Sequence, residues 1–150
     1  MIVNNTKFPA DVVAAAKYAK KVTGCPPSVA LAQWAVESYY GTQMPPGSNN
    51  PFGMKATGDQ PFVECETKEG ANSEIKTVAK FRKFASMNEA FIEHGKLLMN
   101  PRGPYRNCLP SKDNPGTYIQ CMAPIYAADK SYVGKLRAVI QQYGLLQYDA

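Results

Sequence analysis

The feature that most constrains this fold is an apolar helical segment that carries one carboxylate near its end. Residues 27–40 predict a helix, because apolar residues recur at helical spacing along them and Gly41 follows as a stop signal. Glu37 comes directly after the run VALAQWAV, about one turn before the predicted helix end. The segment that follows, TQMPPGSNNP, is too rich in Pro, Gly, Ser and Asn for regular structure. The pattern therefore places a single glutamate between an apolar helix and an irregular loop.

Two physical effects disfavour a charged carboxylate at position 37. Apolar neighbours such as Trp34 desolvate it, and the negative end of the helix dipole lies close by. Both effects raise the pKa of Glu37, and a raised pKa keeps a carboxylic acid protonated near neutral pH, ready to donate a proton. The alternative is a surface glutamate at a helix end. Glu37 is the first candidate for chemistry.

The rest of the chain predicts a mostly helical α+β protein with a small β lobe. Two runs of β-branched and aromatic residues, 62–67 and 75–84, flank the turn-like KEGAN and predict a hairpin. Residues 100–125 are expected to be loop-rich with one short helix. Further helices are expected where apolar residues recur between start and stop signals: 9–22, a segment opened by the capping box of Ser86 and Glu89, and 131–143.

Length and composition indicate one soluble domain spanning residues 1–150. No run approaches the ~18 uninterrupted apolar residues that a membrane span needs. Asp11 and several lysines interrupt the apolar stretch near the N-terminus, so we expect no secretory signal peptide and synthesis in the cytoplasm. Work outside the cytoplasm would then require another route of delivery.

The net charge of +5 suits an anionic partner such as a cell wall or a membrane surface, and nucleic acid is the competing partner. The densest basic cluster, Lys80, Arg82 and Lys83, lies in a strand-like run without any nucleic-acid-binding motif. We therefore expect no nucleic-acid partner.

The cysteines and the single histidine argue against a metal centre. None of the spacings among the four cysteines resembles a zinc site or a CxxC redox motif, so we expect no metal and no other cofactor. Cys108 and Cys121 bracket a short loop and are able to form a disulfide, with four free thiols as the alternative. His94 lies on a predicted amphipathic helix, where a packing role is expected.

Four blocks of the chain resemble one enzyme family. The segment AQWAVESYYGTQMPPGSNNPFGMKA is similar to the signature of the glycoside hydrolase family 73 glucosaminidases, which include flagellar rod hydrolases, autolysins and phage lysins. The later segments TKE at 67–69, VAKFRKFAS at 78–86 and IYAADKSYVGKLRAVIQQYGL at 125–145 resemble the family's remaining blocks, in the same order. The resemblance covers residues from about 24 to 145.

The resemblance implies two catalytic carboxylates. Glu37 matches the glutamate of the family's ES motif and is implied to be the general acid. Glu69 matches the glutamate of T-x-E and is implied to be the second carboxylate, with Glu64 and Glu66 as close rivals. A second carboxylate would stabilise positive charge on the sugar carbon or activate water on the opposite face.

Other positions gain roles from the same resemblance. Tyr126 matches a tyrosine that lines the family's cleft near the acid, and it is the third catalytic candidate. Asn50, Phe52 and Lys55 match N-x-FG-x-K and are expected beneath the cleft, with sugar contact secondary. Tyr40 takes the place of the family's Trp or Tyr after ES and is expected to pack against sugar or core.

The resemblance implies a lysozyme-like α+β domain with a substrate groove between a helical body and a hairpin lobe. The expected substrate is peptidoglycan, cut at the β-1,4 bond after N-acetylglucosamine by a monomer of the phage-lysin or delivered-effector kind. An N-acetylmuramidase or a lytic transglycosylase is the alternative enzyme, and a non-catalytic glycan-binding module is the alternative of another class. The chain departs from the family at Tyr39, where glycine is frequent, and at YAADK, which lacks the family's proline.

Overall fold

The structure, a computed structural model, describes residues 7–69 and 75–150, with the backbone alone at positions 69 and 75. The helices are α1 (Ala10–Thr23), α2 (Pro27–Ser38), α3 (Met87–Met99), α4 (Pro115–Tyr126) and α5 (Tyr132–Gln142). Two 3₁₀ helices span Arg106–Ser111 and Leu145–Asp149, and the strands are β1 (Phe62–Glu69) and β2 (Ile75–Arg82). The predicted α+β class is confirmed. Within the described ranges, no helix is both long and apolar enough to cross a bilayer.

Helix α2 is the central element of the helical body. Ten of its residues are buried, and it packs against α1, α5 and the C-terminal 3₁₀ helix. It ends two residues earlier than predicted, because Tyr39 and Tyr40 adopt left-handed backbone conformations with φ of 48° and 58°. Gly41 follows so close to the indole of Trp34 that a Cβ atom there would lie 2.9 Å from the ring. The chain therefore turns sharply directly after Glu37.

The predicted hairpin is confirmed as an antiparallel pair of strands in register from Phe62↔Arg82 to Glu69↔Ile75. Its predicted turn, KEGAN, lies mostly outside the described residues. Two backbone hydrogen bonds, Ala56 N to Lys80 O at 2.9 Å and Arg82 N to Met54 O at 2.8 Å, attach the end of β2 to the loop after α2. The hairpin lobe is therefore hydrogen-bonded to the loop that follows Glu37 in the chain.

Helix α3 begins at the predicted capping box. Ser86 Oγ accepts a hydrogen bond from Glu89 N at 3.1 Å, and Glu89 Oε2 accepts one from Ala85 N at 3.3 Å. The helix packs closely against α1, since a Cβ atom at Gly95 would clash with the side chain of Thr23. The capping box therefore starts a helix that belongs to the core.

The region 100–125 is more regular than predicted. Its second half is α4, twelve residues long, which starts with Pro115 after Asn114 caps the backbone N of Thr117 at 3.2 Å. A Cys108–Cys121 disulfide joins α4 to the preceding 3₁₀ helix. Cys25 and Cys65 are free thiols.

Candidate active site

Glu37 lies in the last turn of α2 with its side chain half-buried. Burial raises the pKa of its carboxyl above the ordinary value, while a hydrogen bond from Tyr132 and the positive charge of Lys135 act in the opposite direction. The net effect is a raised pKa, as the apolar sequence context predicts. Glu37 therefore has a raised pKa, which favours its protonated form, and two neighbouring groups that stabilise its carboxylate once the proton leaves.

Both of those groups come from the first turn of α5. Tyr132 is buried, with 3% of its surface exposed, and its ring stacks on that of Tyr126 at 5.9 Å. Lys135 is exposed, and its Nζ lies 2.7 Å from Asp129 Oδ2. Because Asp129 also accepts hydrogen bonds from the backbone N and Oγ of Ser131, at 2.9 and 2.6 Å, it anchors the loop into α5. This anchor stands in the block where the family's proline is missing.

A buried polar chain leads from Tyr132 into the core. Gln33 Nε2 donates to the Tyr132 hydroxyl at 3.0 Å, and His94 Nε2 lies 2.7 Å from Gln33 Oε1. Gln33 and His94 are fully buried, and the imidazole stacks on the ring of Phe52 at 4.0 Å. Burial lowers the pKa of His94 to about 3, so the ring is neutral at physiological pH.

Tyr126 joins this group from the end of α4. Its hydroxyl donates to the backbone carbonyl of Phe52 at 3.2 Å. Burial raises the pKa of its phenol well above the ordinary value, and electrostatic coupling to Glu37 and Tyr105 raises it further. The structure thus brings Glu37, Tyr126 and Tyr132 into one electrostatic neighbourhood, of which the sequence predicted the first two.

The N-x-FG-x-K segment contacts the same buried group through Phe52, whose carbonyl accepts from Tyr126 and whose ring stacks on His94. Asn50 Nδ2 donates to the carbonyls of Met54 and Arg82 at 2.8 and 2.9 Å, and its Oδ1 accepts from the backbone N of Phe52 and Met54. The amide of Asn50 and the ring of Phe52 are both buried. Lys55 is exposed on a backbone segment that bridges to Phe81. Asn50 and Phe52 therefore shape the loop, and Lys55 offers an exposed side chain.

The two tyrosines after the ES pair differ in environment. Tyr40 packs in an aromatic cluster, with ring centroids 5.8 Å from Phe8, 6.3 Å from Trp34 and 5.8 Å from Tyr143. Tyr39 is 64% exposed. The solvent-accessible aromatic ring nearest to Glu37 along the chain is therefore Tyr39.

The candidate second carboxylates all lie on β1. Glu64 and Glu66 are exposed, whereas Val63, Cys65 and Thr67 are half-buried. Glu69 pairs with Ile75 at the far end of the hairpin, and its side chain lies outside the described residues. The role implied for Glu69 stays a prediction.

Sequence reasoning missed three residues of this neighbourhood: Tyr132, Gln33 and Lys135. Each lies inside a block that carried the resemblance, Gln33 in AQWAVES and the other two in YAADKSYVGK. The blocks therefore contained the signal, and the spatial relation to Glu37 was the missing information.

The helical body, the small hairpin lobe and the half-buried glutamate at the end of a buried helix define a lysozyme-like domain. The family model named Glucosaminidase, described as mannosyl-glycoprotein endo-beta-N-acetylglucosaminidase, matches residues 13–145. The chain belongs to this glucosaminidase family, which confirms the resemblance found in its sequence blocks.

Individual relatives agree with this assignment. The chain is 32% identical over 131 residues to the exo-glucosaminidase LytG of Bacillus subtilis (strain 168), covering 82% of this chain and 46% of LytG. It is 35% identical over 144 residues to the peptidoglycan hydrolase FlgJ of Escherichia coli (strain K12), covering 90% of this chain and 45% of FlgJ. It therefore spans less than half the length of each of these relatives. The crystal structure of the catalytic domain of the autolysin Auto from Listeria monocytogenes superposes with a TM-score of 0.81 at 27% identity, covering 99% of this chain and 91% of that one.

Proposed function

We propose that this chain hydrolyses the β-1,4 glycosidic bond after N-acetylglucosamine in peptidoglycan, with Glu37 as the general acid. The observation that carries the proposal is the environment of Glu37, which raises its pKa by burial at the end of α2. A carboxylic acid that keeps its proton near neutral pH is able to protonate a glycosidic oxygen. Membership of the glucosaminidase family supports the substrate class.

Proton transfer from Glu37 leaves a carboxylate in a partly apolar site. Tyr132 and Lys135 face this carboxylate with a hydroxyl donor and a positive charge, and both favour the anionic form. The transition state, in which negative charge develops on Glu37, is stabilised by groups that are already in place. Tyr126, whose hydroxyl is held by the Phe52 carbonyl, forms the wall of the same site and orients the substrate.

Glu69 supplies the second carboxylate in this proposal. Alternation along β1 groups position 69 with positions 63, 65 and 67, where the described side chains are half-buried, and separates it from the exposed Glu64 and Glu66. The strand period therefore assigns position 69 to the face opposite that of Glu64 and Glu66. A separation of about 5 Å from Glu37 in the substrate complex would support a covalent retaining route, and about 6.5–9.5 Å would leave room for water.

Substrate contacts beyond the carboxylates follow from exposure. Lys55 is assigned to the glycan strand, and Asn50 and Phe52 to the shape of the loop that carries it. Tyr40 is assigned to the aromatic cluster that it forms with Trp34. The chain acts as a monomeric catalytic domain on glycan strands of the bacterial wall.

The test is digestion of purified peptidoglycan, followed by borohydride reduction and mass spectrometry of the new ends. Glu37→Gln should fold as the wild type does, by circular dichroism, and lose at least ~10²-fold in rate. Glu69→Gln should lose activity as well, whereas Glu64→Gln and Glu66→Gln, matched variants on the same strand, should retain it.

The product identifies the bond. Reduced N-acetylglucosamine from the wild type supports the proposal. Reduced muramic acid would make the chain a muramidase, and 1,6-anhydromuramic acid would make it a lytic transglycosylase. Binding to peptidoglycan without cleavage by the wild type would favour the glycan-binding module.

A further inference from the structure

Three helices each contribute one side chain to a hydrogen-bonded chain that ends at Glu37. His94 of α3 hydrogen-bonds Gln33 of α2, Gln33 hydrogen-bonds Tyr132 of α5, and the hydroxyl of Tyr132 faces the carboxyl of Glu37 and influences its pKa. His94 and Gln33 have no exposed surface, and Tyr132 is 3% exposed. Polar side chains buried this deeply require partners, and here they are one another's partners.

The direction of the hydrogen bonds in this series of side chains follows from counting donors and acceptors. Gln33 donates through Nε2 to the Tyr132 oxygen, so its Oε1 must accept from His94, which requires the proton on Nε2 of the imidazole. The Tyr132 oxygen then accepts from Gln33 and directs its own proton to Glu37. In the opposite direction the Gln33 amide is flipped, so that its oxygen accepts a hydrogen bond from the Tyr132 hydroxyl. Its NH₂ group then donates to an unprotonated nitrogen of His94.

The two directions have opposite effects on the proposed acid. In the first, Tyr132 donates to the carboxylate that forms when Glu37 loses its proton, and so stabilises the product of proton transfer. In the second, the Tyr132 oxygen competes with the substrate for the proton of Glu37. Only the first direction assists proton donation to a glycosidic oxygen.

We propose that His94 and Gln33 are positioning residues that hold Tyr132 as a hydrogen-bond donor to Glu37. The inference rests on the proposed role of Glu37 as the acid. The stacked ring of Phe52, at 4.0 Å and 16°, holds the imidazole in place. Nδ1 of His94 has no hydrogen-bond partner among the residues that the structure describes, so the Nε2–H tautomer leaves only an acceptor unpaired and avoids an orphaned N–H group.

Other charged or titratable groups around these hydrogen-bonded side chains do not supply the hydrogen-bond donor to Glu37. Lys135 acts on Glu37 through its charge, and Tyr126 directs its hydroxyl to the Phe52 carbonyl. On the His94 side, the ring of Tyr126 lies 6.4 Å away and contributes an edge contact. The hydroxyl of Tyr132 is therefore the donor whose direction Gln33 and His94 control.

The first test observes His94 directly. The chain holds one histidine, so nitrogen-15 spectra of histidine-labelled protein report a single imidazole. The expected result is a neutral ring protonated at Nε2, without titration between about pH 5 and pH 8. A ring protonated at Nδ1, or one that titrates in this range, would overturn the inference whether or not the enzyme is active.

The second test measures kcat, KM and their pH dependence on soluble peptidoglycan fragments. His94→Phe keeps an aromatic ring against Phe52 but removes the donor, and kcat should fall about tenfold with little change in KM. The alkaline limb of the pH profile of this variant should move to higher pH, since Glu37 loses the hydrogen-bond donor that lowers its pKa. His94→Gln, whose Nε2 takes the place of the imidazole Nε2, should restore both properties in large part.

Leu98→Ala is the control for lost stability, because Leu98 is another fully buried residue of α3. It should lower the melting temperature and leave the pH profile unchanged. An unshifted alkaline limb in His94→Phe would refute the inference while leaving Glu37 as the acid. Full activity of Glu37→Gln in the same assay would instead refute the proposed function.

Discussion

Asp149, the penultimate residue, caps the N-terminus of the helix that carries Glu37. Its Oδ1 accepts from the backbone N of Ser28 at 2.7 Å, and its Oδ2 accepts from Ser28 Oγ at 2.6 Å. Since Pro27 occupies the first position of α2 and Pro26 precedes it, no local side chain caps this end. A carboxylate from residue 149 supplies the negative charge that the helix dipole favours. The C-terminal segment is therefore part of the scaffold of the site.

Asp149→Ala should lower the free energy of unfolding by about 1–2 kcal/mol, because it removes a charged cap from a helix with buried neighbours. Urea denaturation at neutral pH measures this change. Asp59→Ala, at an exposed position of the loop before β1, is the matched control and should change stability by less than about 0.5 kcal/mol. Equal effects of the two substitutions would show that Asp149 does not cap α2.

Glu37→Gln should stabilise the protein at neutral pH while abolishing most of its activity. Burial raises the pKa of Glu37 in the folded state, so the folded protein binds this proton more tightly than the unfolded chain does. The wild type therefore loses stability as the pH rises through the pKa of the folded state. Glutamine stays neutral and escapes this loss, and the two proteins should become equally stable below the pKa of the unfolded chain.

Melting temperatures of the wild type and Glu37→Gln, measured from about pH 3 to pH 8, check this expectation. The difference in melting temperature between Glu37→Gln and the wild type should increase with rising pH. Glu66→Gln, at an exposed strand position, is the control, and its difference in melting temperature from the wild type should not increase with pH. Glu89→Gln would be a poor control because Glu89 takes part in a helix cap. A constant gap for Glu37→Gln would contradict a raised pKa.

Local signals made most of the framework predictable. The apolar period of α2, the capping box at Ser86 and the paired β-branched runs act over a few residues, and each produced the predicted element. The ends were less accurate: α2 stops at Ser38 because Tyr39 turns left-handed, which the sequence YYG does not reveal. The turn also brings Gly41 against the indole of Trp34, where a Cβ atom would not fit, and that relation is likewise absent from the local pattern.

The buried part of the site was beyond sequence patterns for a different reason. His94 and Gln33 are 61 positions apart, and Gln33 and Tyr132 are 99 positions apart. Helical periodicity identifies a buried face, but it does not tell which buried polar residues meet. Helix α4 was underestimated because Pro124 lies inside it and Gly116 near its start, and both residues lower helix propensity.

Removing the Cys108–Cys121 disulfide should lower stability by about 3 kcal/mol, as expected for a closed loop of this length. The double variant Cys108→Ala/Cys121→Ala, compared with the wild type in guanidinium chloride, measures the loss. Cys65→Ala removes a free, half-buried thiol from the hairpin and provides the control, with a change of no more than about 1 kcal/mol. A reducing agent should lower the stability of the wild type towards that of the double variant and leave the double variant unchanged.

Tyr39→Gly should stabilise the fold and weaken substrate binding. Tyr39 has φ of 48°, a left-handed conformation that costs a residue with a Cβ atom about 1 kcal/mol and that glycine adopts freely. Tyr39 is 64% exposed and lies two positions after Glu37 in the chain, so its removal loses few contacts within the protein and takes an aromatic surface from the glycan strand in the proposed complex. The melting temperature should rise while KM for peptidoglycan fragments increases several-fold and kcat changes little. Lys17→Gly, at an exposed position within α1, should instead lower the melting temperature and leave KM unchanged. A lower melting temperature for Tyr39→Gly would show that the ring stabilises this turn more than its backbone conformation costs.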